Sequence, residues 1–454
     1  MSVIVTVILV AGNLGLIFLL MSLPLGLCTV RVSRLVQADR HRLWQALWPL
    51  GRDAGWSGEI LSAEAMDSEG AVRLRLSWEG RDGQPIERRA RFEDVVEGSR
   101  FSMRIIEDTA LDPSFWANYR ETAELVSEGD ATRVTLRQTD HYRGVAFLIF
   151  RYFALRRELG KLQVWARTGE YRKGGWFEHP LSQIGFAVLS AFILWPFFGL
   201  NLGGLALAAI LTSVVALHEL GHMAAFRLTG HRRARMIFIP LLGGVAIGGR
   251  PYDSRFEVAF VALMGAGFSA FLVPVLIAAS GLAGSEGHRL AAALLATLAG
   301  CASLFNIANL VPVWKFDGGQ VLRQICPGPI ALALASFLLL SALLALGWHV
   351  GFSPSFLLIA GAVFSILSLL TMGSGVKPRH ELKPIHAFDR LAMAGALLAV
   401  FAIHGYGVLW GVGAADVGLR QISRPCAPAP PKAQRQARTH PRTRLSAPGR
   451  HRQW

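Results

Sequence analysis

Charge is what this sequence has least of. Asp, Glu, Lys and Arg make up 17% of its 454 residues, whereas 52% are hydrophobic. That balance excludes an ordinary soluble enzyme, in which about a quarter of the residues are charged. Cysteine is also scarce. Cys28, Cys301, Cys326 and Cys426 are scattered with no Cys-x-x-Cys pair, which excludes a disulfide framework and a thiolate metal site. Acidic residues are missing altogether from 417–454, a Pro-, Ala- and Arg-rich stretch with nine Lys or Arg. Such a segment cannot bury a core, so 413–454 is expected to be a basic disordered tail. It has no aromatic interleaving, and no nucleic acid partner is expected.

What the sequence does have is long apolar runs. Weakly charged windows lie near 3–27, 181–200, 203–226, 256–281, 290–313, 329–348, 354–372 and 391–412, which gives about eight candidate membrane spans. The expected fold is a polytopic α-helical membrane protein with a soluble α+β domain, 30–172, between spans 1 and 2. The first run has no basic residue before it, while Arg31 and Arg34 follow it, so 1–29 reads as an uncleaved anchor with its N-terminus outside. Positive loops stay in the cytoplasm. The segment 227–255 holds six Arg against one Asp, and 373–390 holds four Lys or Arg against two acids. Both segments, and the soluble domain, are therefore expected on the cytoplasmic side. Eight crossings would place the tail outside, so its side stays open.

Within the third span, "VVALHELGHMAAF" (214–226) places two histidines and a glutamate in apolar surroundings. Ionisable groups there are costly and need a partner, a metal or a water cavity. His218 and His222 are four residues apart, so on a helix both imidazoles leave one face, one turn apart. That pair can grip one Zn²⁺, with Glu219 alongside to take a proton from water. Such a site usually has a third protein ligand. Asp253 and Glu257 sit beside the Arg-rich loop and are expected to pair with its arginines. Glu286 is a membrane's width away. Asp317 remains, in "NIANLVPVWKFDGGQVL", where Pro312 breaks the helix and Gly318 and Gly319 let the backbone turn. Asp317 is therefore the expected third ligand.

His218-Glu219-Leu220-Gly221-His222, with Asn309-Leu310-Val311-Pro312 and Phe316-Asp317-Gly318-Gly319, resembles the site-2 protease family of intramembrane zinc metalloproteases. The likeness covers about 181–372, with 373–412 as a cytoplasmic loop and last span. It implies a zinc endopeptidase that hydrolyses peptide bonds in or near transmembrane segments of other proteins, in the bacterial inner membrane, with its site toward the cytoplasm. It also implies one Zn²⁺ per chain on His218, His222 and Asp317, with Glu219 as the catalytic base. "FIPLLGG" resembles the family's glycine-bearing re-entrant segment, so Gly243, Gly244 and Asn309 are candidate substrate-binding residues. The glycines of 243–249 either pair with an extended substrate or only allow close packing; both readings stand. "LMGAGFSAFL" departs from the family pattern, with Ala266 where proline and Ser269 where asparagine is expected, and no segment resembles a PDZ domain.

Residues 30–172 follow a different pattern. Leu43, Trp44, Leu47 and Leu50 recur at helical spacing, and Val72, Leu74, Leu76 and Trp78 alternate as in a half-buried strand. A strand follows Gly98, a hairpin turns at 128–130, and a long amphipathic helix covers "VAFLIFRYFALRRELGKLQVWART". This order resembles the SRPBCC (START-like) helix-grip superfamily, which implies a ligand-sensing module with an apolar ligand. Trp44, Trp78, Phe92 and Trp116 would line its cavity or simply pack its core. Two other functions fit parts of the sequence: a lipid- or small-ligand-binding membrane protein on a non-proteolytic scaffold, and a metal transporter. The transporter would need a second His-Glu cluster, and none is present.

Overall fold

The computed structural model describes residues 15, 19–20, 23–66, 70–171, 179–239, 243–313, 315–371 and 379–422, with side chains outside 369–371 and 414–422. The chain divides into two units, 1–412 and 413–454.

The apolar run expected to anchor the N-terminus gives way at residue 24 to a strand. β1 (Pro24–Val36) buries Val30, Val32 and Val36 and exposes Arg31, Ser33 and Leu35 between them. This period of two belongs to a sheet, not to a span. The soluble domain thus starts at 24 rather than 30, and a strand precedes its first helix. The anchor itself falls largely outside the described residues.

Six more strands follow: β2 (Ile60–Ala65), β3 (Ala71–Glu79), β4 (Pro85–Val96), β5 (Arg100–Asp108), β6 (Arg120–Glu128) and β7 (Ala131–Arg143). They form one antiparallel sheet in the order β1-β7-β6-β5-β4-β3-β2. Hairpin connections explain this order except for β1, which returns to pair with β7 along its whole length. Between β1 and β2 lies α1 (Arg40–Leu47), started by Asp39, whose carboxylate accepts from the His41 and Arg42 amides. The long α2 (Val145–Thr168) closes the domain, with Leu155, Leu159 and Leu162 fully buried against the sheet. Of the four aromatics considered for a cavity, Trp44 and Phe92 are buried in a packed cluster. Trp44 stacks on Trp48 with ring centroids 5.5 Å apart, and Phe101 meets it edge-on at 5.6 Å. Trp78 is exposed, and Trp116 lies beneath the Arg88 guanidinium at 4.5 Å.

The apolar half holds α3 (Pro180–Leu194), α4 (Leu202–Leu228), α5 (Arg255–Ser285), α6 (Arg289–Asn309), α7 (Asp317–Ile325), α8 (Pro329–His349), α9 (Pro354–Thr371) and α10 (Ala387–Ile422). A two-stranded hairpin, β8 (Arg235–Ile239) with β9 (Gly243–Ile247), follows α4. Among the described residues six helical segments are long and apolar enough to cross a membrane, and 354–368 is a shorter apolar helix. Several boundaries move: α5 runs to Ser285 instead of ending near 281, α6 stops at Asn309 instead of 313, and α10 covers Ala387–Ile422 instead of 391–412. Helix α5 is central. Half of its apolar window is buried, against 11% for α8, because Ala259, Ala262, Gly265, Ala266 and Ala270 let neighbours come close.

The sheet domain is tied to the loops of the apolar half. Arg233 donates to the Ser77 carbonyl at 2.6 Å, Arg81 to that of Glu381 at 3.0 Å, and Arg379 to that of Asp108 at 3.1 Å. Lys383 then pairs with Asp253 at 2.8 Å, so the segment around 379–383 connects the sheet to the start of α5.

Glu158 flanks the Leu155, Leu159 and Leu162 stripe of α2 and is itself exposed. Desolvation by the protein crowding it, reinforced by the Glu121 and Glu59 charges and opposed by Arg151 and Lys161, pushes its carboxyl up to about 8. Between roughly pH 5 and 8 the unfolded chain releases a proton that the folded domain keeps, so stability falls as pH rises through that window. Glu158→Gln should raise the melting temperature at about pH 8.5 and leave it unchanged near pH 4.5, as thermal scans of the full chain in detergent would check.

Candidate metal centre

Helix α4 begins at Asn201, whose side chain accepts from the Gly204 amide at 2.8 Å, and ends with Gly230 in a left-handed turn. Its interior carries His218 and His222 on one face. Their Nε2 atoms lie 3.1 Å apart, and the rings meet edge-on with centroids at 4.7 Å. The third group arrives from a helix break. α6 ends at Asn309, the chain turns through buried Leu310 and Val311, and α7 restarts at Asp317. The turn is so tight that a Cβ on Gly318 would strike the Leu310 carbonyl oxygen, and one on Gly319 that of Val313. It sets Asp317 Oδ2 3.1 Å from His218 Nε2 and 3.5 Å from His222 Nε2.

The other nitrogen of each imidazole fixes its tautomer. His222 Nδ1 is 2.8 Å from the Val261 carbonyl, which can only accept, so Nδ1 carries the hydrogen and Nε2 presents a lone pair. His218 Nδ1 is 2.7 Å from Asn306 Oδ1. The Asn306 amide is itself oriented, because its NH₂ donates to the Ala302 carbonyl at 2.8 Å. Two imidazole lone pairs and one carboxylate oxygen therefore face one another. Asp317 Oδ2 is buried with no hydrogen-bond donor when both imidazoles are neutral, and three acceptors this close repel unless a metal ion or a proton lies among them. Two imidazoles and a carboxylate suit a divalent metal ion such as zinc, and ligand atoms around a tetrahedral zinc lie roughly 3.3 Å apart, close to the edges of this triangle. His218, His222 and Asp317 thus fit a metal ion, and they form one three-residue group with ligand atoms within 4.8 Å of one another.

Glu219 turns toward the β8–β9 hairpin, where its Oε2 accepts from the Ala246 amide at 3.0 Å. Gly244 allows this approach, since a Cβ there would overlap the Glu219 side chain. Gly243 has a positive φ, +92°, and packs beside Val215. Close packing therefore accounts for Gly244. The Asn309 amide donates to the Phe305 carbonyl of its own helix at 3.0 Å. The asparagine that touches the site is Asn306, one turn earlier. Its signal in the sequence is a second amide inside an apolar span, three residues from the motif asparagine.

Gly265 was not singled out by any motif. A Cβ on it would lie 2.5 Å from His222 Nε2 and 2.7 Å from His218 Cε1. Ala266, at the first departure from the family pattern, uses its carbonyl to accept from His404 at 2.9 Å. Ser269 is buried. Glu257 pairs with Arg250 at 2.9 Å and also with buried His231 at 2.7 Å. Asp253 pairs with Lys383.

No family model matches the chain, and no curated protein matches it. Solved structures do. Protein SSP2350 from Staphylococcus saprophyticus is 15% identical over 33% of this chain and 98% of that one, with a TM-score of 0.26. The Aha1 dimer from Colwellia psychrerythraea is 12% identical over 32% and 99%, with a TM-score of 0.25. Mll3558 from Rhizobium loti is 24% identical over 30% and 96%, with a TM-score of 0.23. These likenesses cover about a third of the chain and assign it no activity.

Two substitutions probe the geometry. Asn306→Ala should weaken zinc binding by about 10- to 100-fold, because His218 loses the partner that orients it. Gly265→Ala should abolish stoichiometric binding. Titration of the purified chain against a chromophoric chelator measures both.

Proposed function

We propose that this chain is an intramembrane zinc endopeptidase of the site-2 protease kind, acting on peptide bonds in or near transmembrane segments of other proteins. The observation that carries the reading is the convergence of His218 Nε2, His222 Nε2 and Asp317 Oδ2 within an apolar helical bundle, with Glu219 next in sequence to one ligand. A Zn²⁺ held by these three groups would supply Lewis acidity to the scissile carbonyl.

The chain's own groups do the rest. Glu219 accepts a proton from the water that attacks the scissile carbonyl carbon. It then delivers that proton to the departing amine as the C–N bond breaks, so the base is regenerated. The Ala246 amide holds one carboxylate oxygen of Glu219 and leaves the other for this transfer. Asn306 and the Val261 carbonyl hold both imidazoles in the tautomer that faces inward. The substrate must be extended locally, because a helical backbone has its carbonyls engaged within the helix. In this reading the Arg-rich segment 227–255 lies in the cytoplasm, and the sheet domain that Arg233 touches lies there too.

The test is cleavage of a panel of tagged single-span proteins in liposomes by wild type and by Glu219→Gln, with zinc assayed in both. Both proteins should hold one zinc, and the variant should cleave about 10²- to 10⁴-fold more slowly. Failure of both to hold stoichiometric zinc after repletion would reject the reading.

A further inference from the structure

The outward side of α2 is unlike that of a soluble helix. Phe147, Ile149, Phe150, Tyr152 and Phe153 are 48, 46, 67, 39 and 58% exposed, five large apolar side chains within seven residues. At about 100° per residue, Ile149, Phe150 and Phe153 point away from the stripe of Leu155, Leu159 and Leu162 that packs on the sheet. Elsewhere on the described sheet domain, exposed large apolar residues occur singly, as at Leu50, Leu61 and Val126, or as the pair Val95 and Val96. The exposure of Phe150 instead matches that of Phe337 and Leu338 on the apolar helix α8, at 69 and 67%. A patch of this density marks a contact surface.

Two further observations identify what covers it. The Gly144 amide, at the start of α2, donates to the Leu23 carbonyl at 2.8 Å. The first turn of α2 therefore sits where the chain leaves residues 1–22, a stretch without a single charged residue. The charge along α2 is predominantly of one sign. Arg143, Arg156 and Arg167 are exposed, while Glu158, also exposed, is the only acid within α2. Aromatic and aliphatic side chains with arginines at their edge are the composition of a helix that lies in a membrane interface.

We infer that the N-terminal half of α2 is an interfacial element that beds Ile149, Phe150 and Phe153 into the surface of an anionic phospholipid bilayer, with Arg143 and Arg156 at the headgroups. The sheet domain is then held against the membrane by its own last helix as well as by its loop contacts. This inference does not rest on the proteolytic reading, and its failure would leave the metal centre unchanged.

The full chain, reconstituted in nanodiscs of phosphatidylethanolamine and phosphatidylglycerol, tests it. A photo-crosslinking benzoylphenylalanine replaces Phe150, Phe153 or, as a control on an exposed strand end, Val126. All three positions are exposed, so each variant should fold. Lipid adducts measured by mass spectrometry should be about tenfold more abundant at 150 and 153 than at 126. Adducts to residues 1–22, to other parts of the chain or to a second copy would overturn the inference. So would lipid yields at 150 and 153 no higher than at 126.

Discussion

Mutual repulsion among three electron-pair donors is the constraint around which the apolar half is organised. Two imidazole nitrogens and a carboxylate oxygen lie 3.1 to 3.5 Å from one another, and both imidazoles already carry their hydrogen on the far side. Holding such a group together in apolar surroundings requires rigid backbone on every side, and small residues provide it. A Cβ on Gly221 would strike the Met264 carbonyl, so α4 and α5 are in backbone contact at the histidines. Gly265 gives the imidazoles their room, and Gly318 and Gly319 permit the turn that delivers Asp317. A proposed cation at the centre would balance the repulsion that these packing contacts otherwise have to resist.

What was legible in the sequence was local. A spacing of four on a helix places His218 and His222 on one face without knowledge of the fold. The break between Asn309 and Asp317 is also local, because proline and two glycines dictate it. Asn306, Val261 and Gly265 were not legible, since each matters only through a neighbour 35 or more positions distant in the chain, as with His218 and Asn306. The same distinction explains why the sequence points to 30, and not to 24, as the start of the soluble domain. The run ending at Leu27 is apolar enough for a span, and only the pairing of Pro24–Val36 with a strand more than a hundred residues later reveals β1. In the soluble domain the alternation in β3 and the hairpin of β6 and β7 could be read directly, whereas Trp78 points outward although its neighbours at two-residue spacing are buried.

The two halves meet through polar contacts at the start of α5. The segment around 379–383 holds Asp108 and Ala110 of the sheet domain at one end and Asp253 and Arg255 at the other. Just beyond lies Glu257, which binds His231, Arg250 and the Asp253 amide. This buried cluster fixes the two ends of the segment that contains β8 and β9, and β9 holds Glu219. A charged cluster at that position is costly to desolvate unless every member is paired, and here Glu257 accepts from three donors.

The central claim is that His218, His222 and Asp317 bind one zinc ion. Zinc K-edge X-ray absorption of the zinc-repleted, full-length protein tests it most directly. The account predicts a shell of nitrogen and oxygen atoms at about 2.0–2.1 Å with the outer scattering of two imidazoles. Sulfur at about 2.3 Å, or a spectrum without imidazole scattering, would contradict it.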